Sequence, residues 1–288
     1  MKPYIKLLRP HHYLKNVLVF LPLLFAKKVF EIDYMLKALI AFAIFSLLSS
    51  IVYIINDIMD CEKDKLHPTK RERPIASGKV SKTHAGTIAV VLGAIVLVLV
   101  IISGNWVAAL WPLAYLICNF AYSIRLKNIP IVDVTIISLG FLFRMLYGAD
   151  ITGIIVSNWL YLTVLSISFY MGFGKRRNEW SATGNDTRTV LRFYTKDFLD
   201  KNMYVCLTLA ITFYSLWCVD MSTAISNIMV TVPLVLVICM KYSLVVEGAS
   251  DGDPIGVILH DQWLIGLTFL YIIVVVYMVY FPDLFGAL

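Results

Sequence analysis

The feature that most constrains this chain is a run of 40 consecutive residues, 85–124, that contains no Asp, Glu, Lys or Arg. An α-helix needs about 20 mostly apolar residues to cross the hydrocarbon core of a bilayer. The run is therefore long enough for two crossings, and Ser103, Gly104 and Asn105 in its middle provide a turn. Only 15% of the 288 residues are charged, whereas soluble domains average about 25%. We therefore expect an all-α polytopic membrane protein, and a soluble enzyme is excluded.

Further mostly apolar runs bring the predicted number of membrane spans to nine. The first is the weakest, because Pro22 interrupts it. Lys27 and Lys28 follow it instead of the small residues of a signal-peptide cleavage site, so we expect it to stay in the mature chain. The prediction is one integral membrane domain, residues 1–288, with spans at 14–30, 38–55, 85–124 (two helices), 132–149, 154–174, 203–219, 224–240 and 262–281.

The distribution of basic residues predicts the orientation of these spans. All but four of the 25 Lys and Arg fall in segments on one side of the membrane. The exceptions are Lys27, Lys28 and Lys37 on the other side, and Arg144 inside a span. The positive-inside rule then places the N-terminus in the cytoplasm and the C-terminus outside. We expect a cytoplasmic (inner) membrane protein whose catalytic loops, residues 56–82, 122–133 and 174–202, face the cytoplasm.

The first of these loops begins with closely spaced acids and reads NDIMDCEKDKLHPTKRERPIASGKVS from Asn56 onward. Separations of three, four and seven place the side chains of Asn56, Asp57, Asp60 and Asp64 on one face of a continuing helix. Because like charges repel at this spacing, a cation is expected among them. Hard oxygen ligands suit magnesium, which commonly joins one or two carboxylates to substrate phosphates. A solvated acidic helix end is the alternative.

The same loop continues with basic side chains suited to phosphate oxygens, namely His67, Lys70 and Arg73. Pro68 and Pro74 prevent one long helix, so the loop can fold back over the acidic face. Magnesium and basic groups converging on a polyphosphate would neutralise the charge that develops on a departing diphosphate.

The other two loops add a second set of polar residues on the predicted cytoplasmic side. Lys175 and Arg176 emerge directly from the sixth span, and Glu179 follows at helical reach. Such a cluster is either a topological anchor that contacts anionic lipid or a phosphate site. Tyr122 and Lys127 flank the short loop before the fifth span.

Arg144 lies inside the fifth predicted span. Ionisable residues at such depth are costly and are by default candidates for function. Two readings stay open for this residue: a structural pairing with a carbonyl or acid of another helix, and a contact with a phosphate or lipid headgroup.

These motifs together resemble the UbiA-type intramembrane prenyltransferase superfamily, and within it the branch that transfers phosphoribosyl groups. The resemblance extends over nearly the whole chain, and HPTKRERPIASG is its most specific part. The matching segments are RPHHYLKN at 9–16, NDIMDCEKDKLHPTKRERPIASG at 56–78, YSIRLK at 122–127, GFLFR ending at Arg144, GKRRNE at 174–179, FYT at 193–195 and EGASDGDP from Glu247.

One departure from the general pattern of the superfamily has chemical content. Its members commonly carry a second aspartate motif, DxxxD, after the sixth span. Here that place holds Lys175, Arg176, Arg177 and Glu179. A second acidic set would bind a second magnesium on a prenyl diphosphate, whereas a basic set suits direct contact with phosphate. The departure favours the phosphoribosyltransferase branch.

The resemblance implies a Mg²⁺-dependent transfer of 5-phosphoribosyl from phosphoribosyl pyrophosphate to a decaprenyl-like polyprenyl phosphate, with release of pyrophosphate. The product would be an early intermediate toward a lipid-linked arabinofuranose donor for cell-wall glycans. We assign magnesium binding to Asn56, Asp57, Asp60 and Asp64, and catalysis to Asp57, Asp60, Lys175 and Arg176. Substrate binding is assigned to Lys15, Asn16, His67, Lys70, Arg73, Tyr122, Lys127, Arg144, Lys175, Arg176 and Glu179.

Two other functions remain open at this point. An aromatic-acceptor prenyltransferase would use the first loop with a polyprenyl diphosphate as donor, and it would need the second aspartate motif. A transporter of an anionic solute would need discontinuous helices and charged residues near the midplane, for which Arg144 is the candidate. The lipid bilayer is an expected partner and nucleic acid is not, while a homo-oligomer is compatible with the pattern.

Overall fold

The structure, a computed structural model, describes residues 2–66, 70–183, 188–223, 225, 227–248 and 253–281. All regular secondary structure in these residues is helical, which confirms the predicted fold class. The twelve α-helices are α1 (Lys2–Leu8), α2 (Leu21–Phe25), α3 (Ile32–Met59), α4 (Cys61–Lys65), α5 (Lys82–Ser103), α6 (Leu110–Ile124), α7 (Val132–Thr152), α8 (Asn158–Thr183), α9 (Lys196–Met221), α10 (Thr231–Glu247), α11 (Pro254–His260) and α12 (Gln262–Tyr280). Five 3-10 helices lie at Pro10–Phe20, Lys70–Glu72, Leu126–Asn128, Thr189–Phe193 and Ile228–Val230.

Within the described residues, six helices are long and apolar enough to cross a membrane. They are α3, α5, α7, α9, α12 and α10 with the 3-10 turn before it (Ile228–Glu247). Helix α6 is apolar but has only 15 residues, and α8 coincides with the sixth predicted span and continues past it. The chain is an integral membrane protein, while the count of nine spans and the orientation of the termini stay predictions.

Two predicted spans differ from the helices observed. Residues of the first span form the 11-residue 3-10 helix Pro10–Phe20 followed by α2, because Pro10 and Pro22 lack the N–H groups of a continuous α-helix. The span predicted at 224–240 appears as α10, which begins only at Thr231; its predicted first residue, 224, lies outside the described residues. The turn after residue 103 is confirmed, since α5 ends at Ser103 and Gly104 has a φ of 67°, a conformation that glycine adopts without strain.

The chain divides into two compact units, and one of the points at which it passes from one unit to the other lies inside α7. The first unit contains Met1–Leu23, Val29–Ile124 and Phe143–Ile154, and the second contains Leu24–Lys28, Arg125–Leu142 and Ile155–Leu288.

In the first unit, α3 is the central helix and contacts α5, α6 and the 3-10 helix Pro10–Phe20. Of its apolar window 61% is buried within the structure, whereas only 11% of the α5 window is buried. Helix α5 therefore presents most of its apolar surface to lipid. A small core of Leu7, Ile54, Cys61, Ile75, Val80 and Ala85 fixes the loop after α3 against the helix ends.

In the second unit, α8 packs along α9, and α10 contacts both of them and α12. The core between these helices includes Tyr170, Phe173, Leu199 and Met203. The 3-10 helix Thr189–Phe193 closes one end of this core, because its Val190 and Leu191 are completely buried.

Candidate active site

The acidic residues that end α3 remain on one helical path, as their spacing predicts. Asp60 leaves the helical dihedral region, but its amide still donates to the Asn56 carbonyl at 2.9 Å, and the Asp64 amide donates to the Asp60 carbonyl at 2.9 Å. Helix α4 therefore continues the direction of α3, which places Asp57 and Asp64 within reach of the same guanidinium group.

Asp57 is the buried centre of this group, with only 2% of its side chain exposed. Its Oδ1 atom accepts from Arg9 Nη2 at 2.7 Å and from Arg73 Nη1 at 3.2 Å. Its other oxygen, Oδ2, is buried and has no hydrogen-bond partner among the residues that the structure describes. A carboxylate oxygen can accept about two hydrogen bonds, so Oδ2 is an open acceptor in a protein interior, where such groups are normally satisfied.

Arg73 joins the two acids, because its Nη1 atom also lies 2.7 Å from Asp64 Oδ2. The loop that carries Arg73 is folded back by a tight turn, in which the Val80 amide donates to the Pro74 carbonyl at 2.9 Å. Ile75 and Val80 are buried in the core of the first unit, and this burial anchors the turn. The predicted return of the loop over the acidic face is confirmed.

Asn56 is held from the neighbouring helix α6, where Ser123 Oγ donates to its Oδ1 atom. A cavity of about 470 Å³ lies between α3 and α6, and Ser123 is one of its lining residues. Its lining is almost entirely apolar, from Ile51, Val52, Ile55, Leu116, Ile117, Asn119, Phe120, Ala121, Ser123 and Ile124. We call it the α3–α6 groove; it suits an apolar chain with a polar group at one end.

Arg144 is buried among polar side chains of the first unit. Its Nε atom donates to Asn16 Oδ1 at 2.6 Å, and Nη2 lies 3.3 Å from the Tyr115 hydroxyl. Its guanidinium also lies 4.8 Å from the centroid of the Tyr115 ring. Asn16 is completely buried and donates to Ser46 Oγ at 3.1 Å. These contacts correspond to the structural reading of Arg144, and they give Asn16 the same role.

One turn beyond Arg144, α7 approaches the 3-10 helix more closely still. A Cβ atom on Gly148 would lie 2.1 Å from the Val19 carbonyl oxygen, so glycine is required there. Arg144 and Gly148 together fix the 3-10 helix whose N-cap residue is Arg9.

Arg176, predicted to contact phosphate, is engaged by acidic side chains in the structure. Its side chain is completely buried in the second unit, where Nε lies 2.5 Å from Asp133 Oδ2 and Nη1 lies 2.7 Å from Glu179 Oε2. The Tyr194 hydroxyl donates to Asp133 Oδ1 at 2.6 Å. Arg176 therefore holds α7, α8 and the loop before α9 together, and direct contact with substrate does not fit this arrangement.

The ion pairs and hydrogen bonds around Arg176 shift the pKa values of Glu179 and Tyr194. Burial opposes ionisation of Glu179, but Arg176, Arg188 and Lys175 outweigh it, so the pKa of the Glu179 carboxyl is lowered. Burial and the hydrogen bond to Asp133 raise the pKa of Tyr194, which therefore remains a neutral donor.

The remaining predicted site residues lie at more accessible positions. Lys175 is 27% exposed, with Nζ 3.8 Å from Asp253 Oδ1. Lys15, Lys70, Tyr122 and Lys127 are half-buried. His67 lies outside the described residues.

We call Asn56, Asp57, Asp60 and Asp64 the acidic set. The sequence did not predict two residues that contact it. Arg9 is 48 positions from Asp57, and Ser123 is 67 positions from Asn56. Both lie inside the motifs RPHHYLKN and YSIRLK, which mark them as candidates but do not indicate which residue each contacts.

The residues of the acidic set fit a hard divalent cation. In the described part of the chain, no group of three or more His, Cys, Asp and Glu is close enough to hold a metal. Asp57 and Asp64 nevertheless share one guanidinium nitrogen, and Asp57 has an open, buried oxygen. Magnesium commonly keeps several waters and is bound through one or two carboxylates plus substrate phosphates, so two carboxylates suffice.

Comparison with known proteins places these residues in a family context. Residues 17–255 match the model of the UbiA prenyltransferase family. The chain is 34% identical over 275 residues to decaprenyl-phosphate phosphoribosyltransferase of Mycobacterium tuberculosis, which covers 90% of this chain and 88% of that protein. It is 32% identical over 292 residues to the enzyme of the same name from Corynebacterium glutamicum, covering 98% and 88%.

Solved structures show the same fold. A UbiA homolog from Archaeoglobus fulgidus bound to GPP and Mg²⁺ aligns with a TM-score of 0.70 at 19% identity, covering 96% of this chain and 97% of that one. The apo structure of a UbiA homolog from Aeropyrum pernix K1 aligns with a TM-score of 0.63 at 14% identity, covering 92% and 98%.

Proposed function

Because the chain belongs to the UbiA prenyltransferase family, we propose that it transfers 5-phosphoribosyl from phosphoribosyl pyrophosphate to a polyprenyl phosphate, with magnesium and with release of pyrophosphate. The proposal is supported by its relatives, since the chain is similar over most of its length to decaprenyl-phosphate phosphoribosyltransferases. We further propose the inner membrane as its location and a cytoplasmic active site.

The observation that carries the proposal is the type of residue found after the sixth predicted span. An aromatic-acceptor prenyltransferase would place a second acidic, metal-binding motif there. In this chain Arg176 fills that position and is paired with Asp133 and Glu179. These ion pairs occupy Asp133 and Glu179, which disfavours a second metal ion on a prenyl diphosphate at these two acids and favours a donor held at the first acidic set.

The proposed reaction is a displacement at the anomeric carbon of the ribose. An oxygen of the polyprenyl phosphate forms the new bond to that carbon, and the bond from the carbon to pyrophosphate breaks with its electron pair on pyrophosphate. The acceptor phosphate is already ionised at neutral pH, so no general base is needed. Bound magnesium would supply neutralisation of the charge on the leaving group.

The residues of the first unit have defined roles in this scheme. Asp57, with Asp64 beside it and Asp60 and Asn56 on the same path, would hold the magnesium. Arg73 would contact donor phosphate, since 28% of its side chain is exposed beside Asp57.

Other basic residues are proposed as further phosphate contacts, each within its own unit. Lys70 would bind donor phosphate, and Lys15, in the middle of the 3-10 helix Pro10–Phe20, would bind the acceptor phosphate. Lys127 and Lys175, in the second unit, keep the predicted role of phosphate contacts. Arg144, Asn16 and Arg176 become positioning residues.

We propose that the α3–α6 groove binds the isoprenoid tail. Its apolar lining suits a hydrocarbon chain, and Ser123 at its end is bonded to Asn56. A chain in the groove would therefore present its phosphate near the acidic set.

A donor swap tests the proposal. Purified protein and magnesium receive either labelled phosphoribosyl pyrophosphate plus polyprenyl phosphate, or polyprenyl diphosphate plus an aromatic acid, each with and without a chelator. We expect label to enter the lipid fraction in the first mixture, in a magnesium-dependent manner. Prenylation of the aromatic acid in the second mixture, with no transfer in the first, would refute the proposal.

A further inference from the structure

The acidic set is already occupied by cations that belong to the protein. We propose, building on the proposed function, that Arg9 and Arg73 are exchangeable partners of Asp57: they neutralise it while the site is empty and move to phosphate oxygens when magnesium and a diphosphate bind together. The inference makes Arg9 a donor-binding residue.

The contacts of Asp57 show that its oxygens are used unevenly. Both guanidinium groups reach the same atom, Oδ1, at 2.7 and 3.2 Å, whereas the buried Oδ2 has no hydrogen-bond partner within residues 2–66 and the other described ranges. A permanent structural ion pair would be expected to satisfy both oxygens, since buried acceptors are almost always hydrogen-bonded. An oxygen left open next to two arginines is what a site for a further cation requires.

The two arginines retain donors for a phosphate. An arginine has five N–H donors, and in the described part of the chain the contacts to Asp57 and Asp64 use Nη2 of Arg9 and Nη1 of Arg73. Their side chains are 18% and 28% exposed, whereas that of Asp57 is 2% exposed. Each guanidinium group therefore keeps N–H groups that the acids do not use and is more exposed than Asp57, so a diphosphate can reach it.

The charges of the two acids and the two arginines explain why a divalent cation and a diphosphate should bind together. Asp57 and Asp64 carry two negative charges, which Arg9 and Arg73 balance. A divalent cation alone would have to compete with the arginines, and a diphosphate alone would approach two carboxylates. Bound together, the metal takes the carboxylate oxygens and the diphosphate takes the guanidinium groups. Positive coupling between metal and diphosphate follows.

The backbone at Arg9 is left-handed and lies at the start of a well-anchored segment. Arg9 has a φ of 53° and a ψ of 57° at the start of the 3-10 helix, a region uncommon for residues other than glycine. Such an outlier at a ligand site is reason to suspect a functional role. The 3-10 helix itself is held by Asn16 bonded to Arg144 and by the close approach of Gly148.

The test measures binding without catalysis. Mn²⁺ binding to the purified full-length protein is followed by electron paramagnetic resonance, alone and with saturating inorganic pyrophosphate. For the unaltered protein we expect pyrophosphate to tighten Mn²⁺ binding at least about 5-fold, the lower end of typical couplings. Arg9→Gln should bind Mn²⁺ alone more tightly than the unaltered protein and should lose most of the tightening by pyrophosphate.

Two further variants sharpen the result. Arg9→Lys keeps a positive charge beside Asp57 but lacks the planar fork that binds phosphate bidentately. It should leave Mn²⁺ binding alone unchanged and still reduce the effect of pyrophosphate. Arg192→Gln, which removes an exposed arginine of the second unit, should behave as the unaltered protein. Thermal unfolding of each variant checks that it is folded.

The outcomes separate the exchange from the proposed function. If Arg9→Gln and Arg192→Gln show the same Mn²⁺ binding and the same coupling, the exchange is refuted, while phosphoribosyl transfer in the donor swap stands. If the unaltered protein binds no Mn²⁺ with or without pyrophosphate, both the exchange and the magnesium-dependent function are refuted.

Discussion

Replacement of Arg176 by methionine distinguishes a structural role from a substrate contact. In the structure the Arg176 and Asp133 side chains are both completely buried. The substitution removes one partner of this pair and leaves the other charge buried with the Tyr194 hydroxyl on one of its oxygens. Removal of one partner from a buried ion pair typically costs about 3–5 kcal/mol.

This cost can be expressed as a change in melting temperature. For domains of 150–250 residues, 1 kcal/mol corresponds to about 2–4 °C. We therefore expect Arg176→Met to lower the Tm of the detergent-solubilised protein by roughly 6–20 °C. The assay is thermal unfolding followed by tryptophan fluorescence, with KM for phosphoribosyl pyrophosphate measured well below the Tm.

Two comparisons make the result specific. Lys175→Met alters the adjacent, partly exposed residue, and it should change Tm by less than about 2 °C while it raises KM. Arg176→Met combined with Asp133→Leu removes both charges and should recover part of the lost stability, since replacement of a whole buried pair is often neutral. An Arg176→Met protein with unchanged Tm and a raised KM would refute the structural assignment.

Three further predictions concern other parts of the chain. Gly148→Ala should destabilise the protein by more than about 3 kcal/mol in thermal unfolding, because its Cβ would overlap the Val19 carbonyl; an unchanged Tm would show that α7 does not need this approach. The pKa of Glu179 is lowered in the folded protein, so its contribution to stability is complete above its ordinary pKa of 4.5 and is lost as the pH falls through the lower folded value. The unaltered protein should therefore lose more Tm below pH 4.5 than Glu179→Gln does, and equal slopes would contradict the ion-pair reading. Ala121→Trp should fill the α3–α6 groove and shift acceptor preference toward shorter polyprenyl phosphates in a competition assay, whereas an unchanged preference would remove the groove from tail binding.

The acidic set shows how much of a site can be predicted from local spacing. Because Asp57 and Asp64 are seven residues apart on one helical path, and Arg73 returns within the same loop, their proximity follows from the sequence. Arg9 also reaches Asp57, yet it belongs to a different segment of the chain. Its conformation depends on a 3-10 helix that apolar periodicity does not distinguish from an α-helical span, so this contact could not be predicted.

Lys175 and Arg176 show what local sequence does not predict. Lys175 and Arg176 are adjacent in the sequence and carry the same charge, but the side chains of consecutive helical residues point in different directions. Arg176 is completely buried against Asp133, whereas Lys175 is 27% exposed. Charge alone therefore indicated a phosphate site for both, and only the packing of α8 separates their roles.

The measurement that tests the central claim most directly is a doubly labelled transfer at the Asp57 site. The donor carries ¹⁴C in the ribose and ³²P in the terminal phosphate of the pyrophosphate group, with polyprenyl phosphate as acceptor. We expect ¹⁴C in the lipid fraction and ³²P in free pyrophosphate. Asp57→Asn should reduce the rate at least about 100-fold and keep a folded protein with a cooperative thermal transition. Transfer of ³²P to the lipid, or full activity of Asp57→Asn, would contradict phosphoribosyl transfer at this carboxylate.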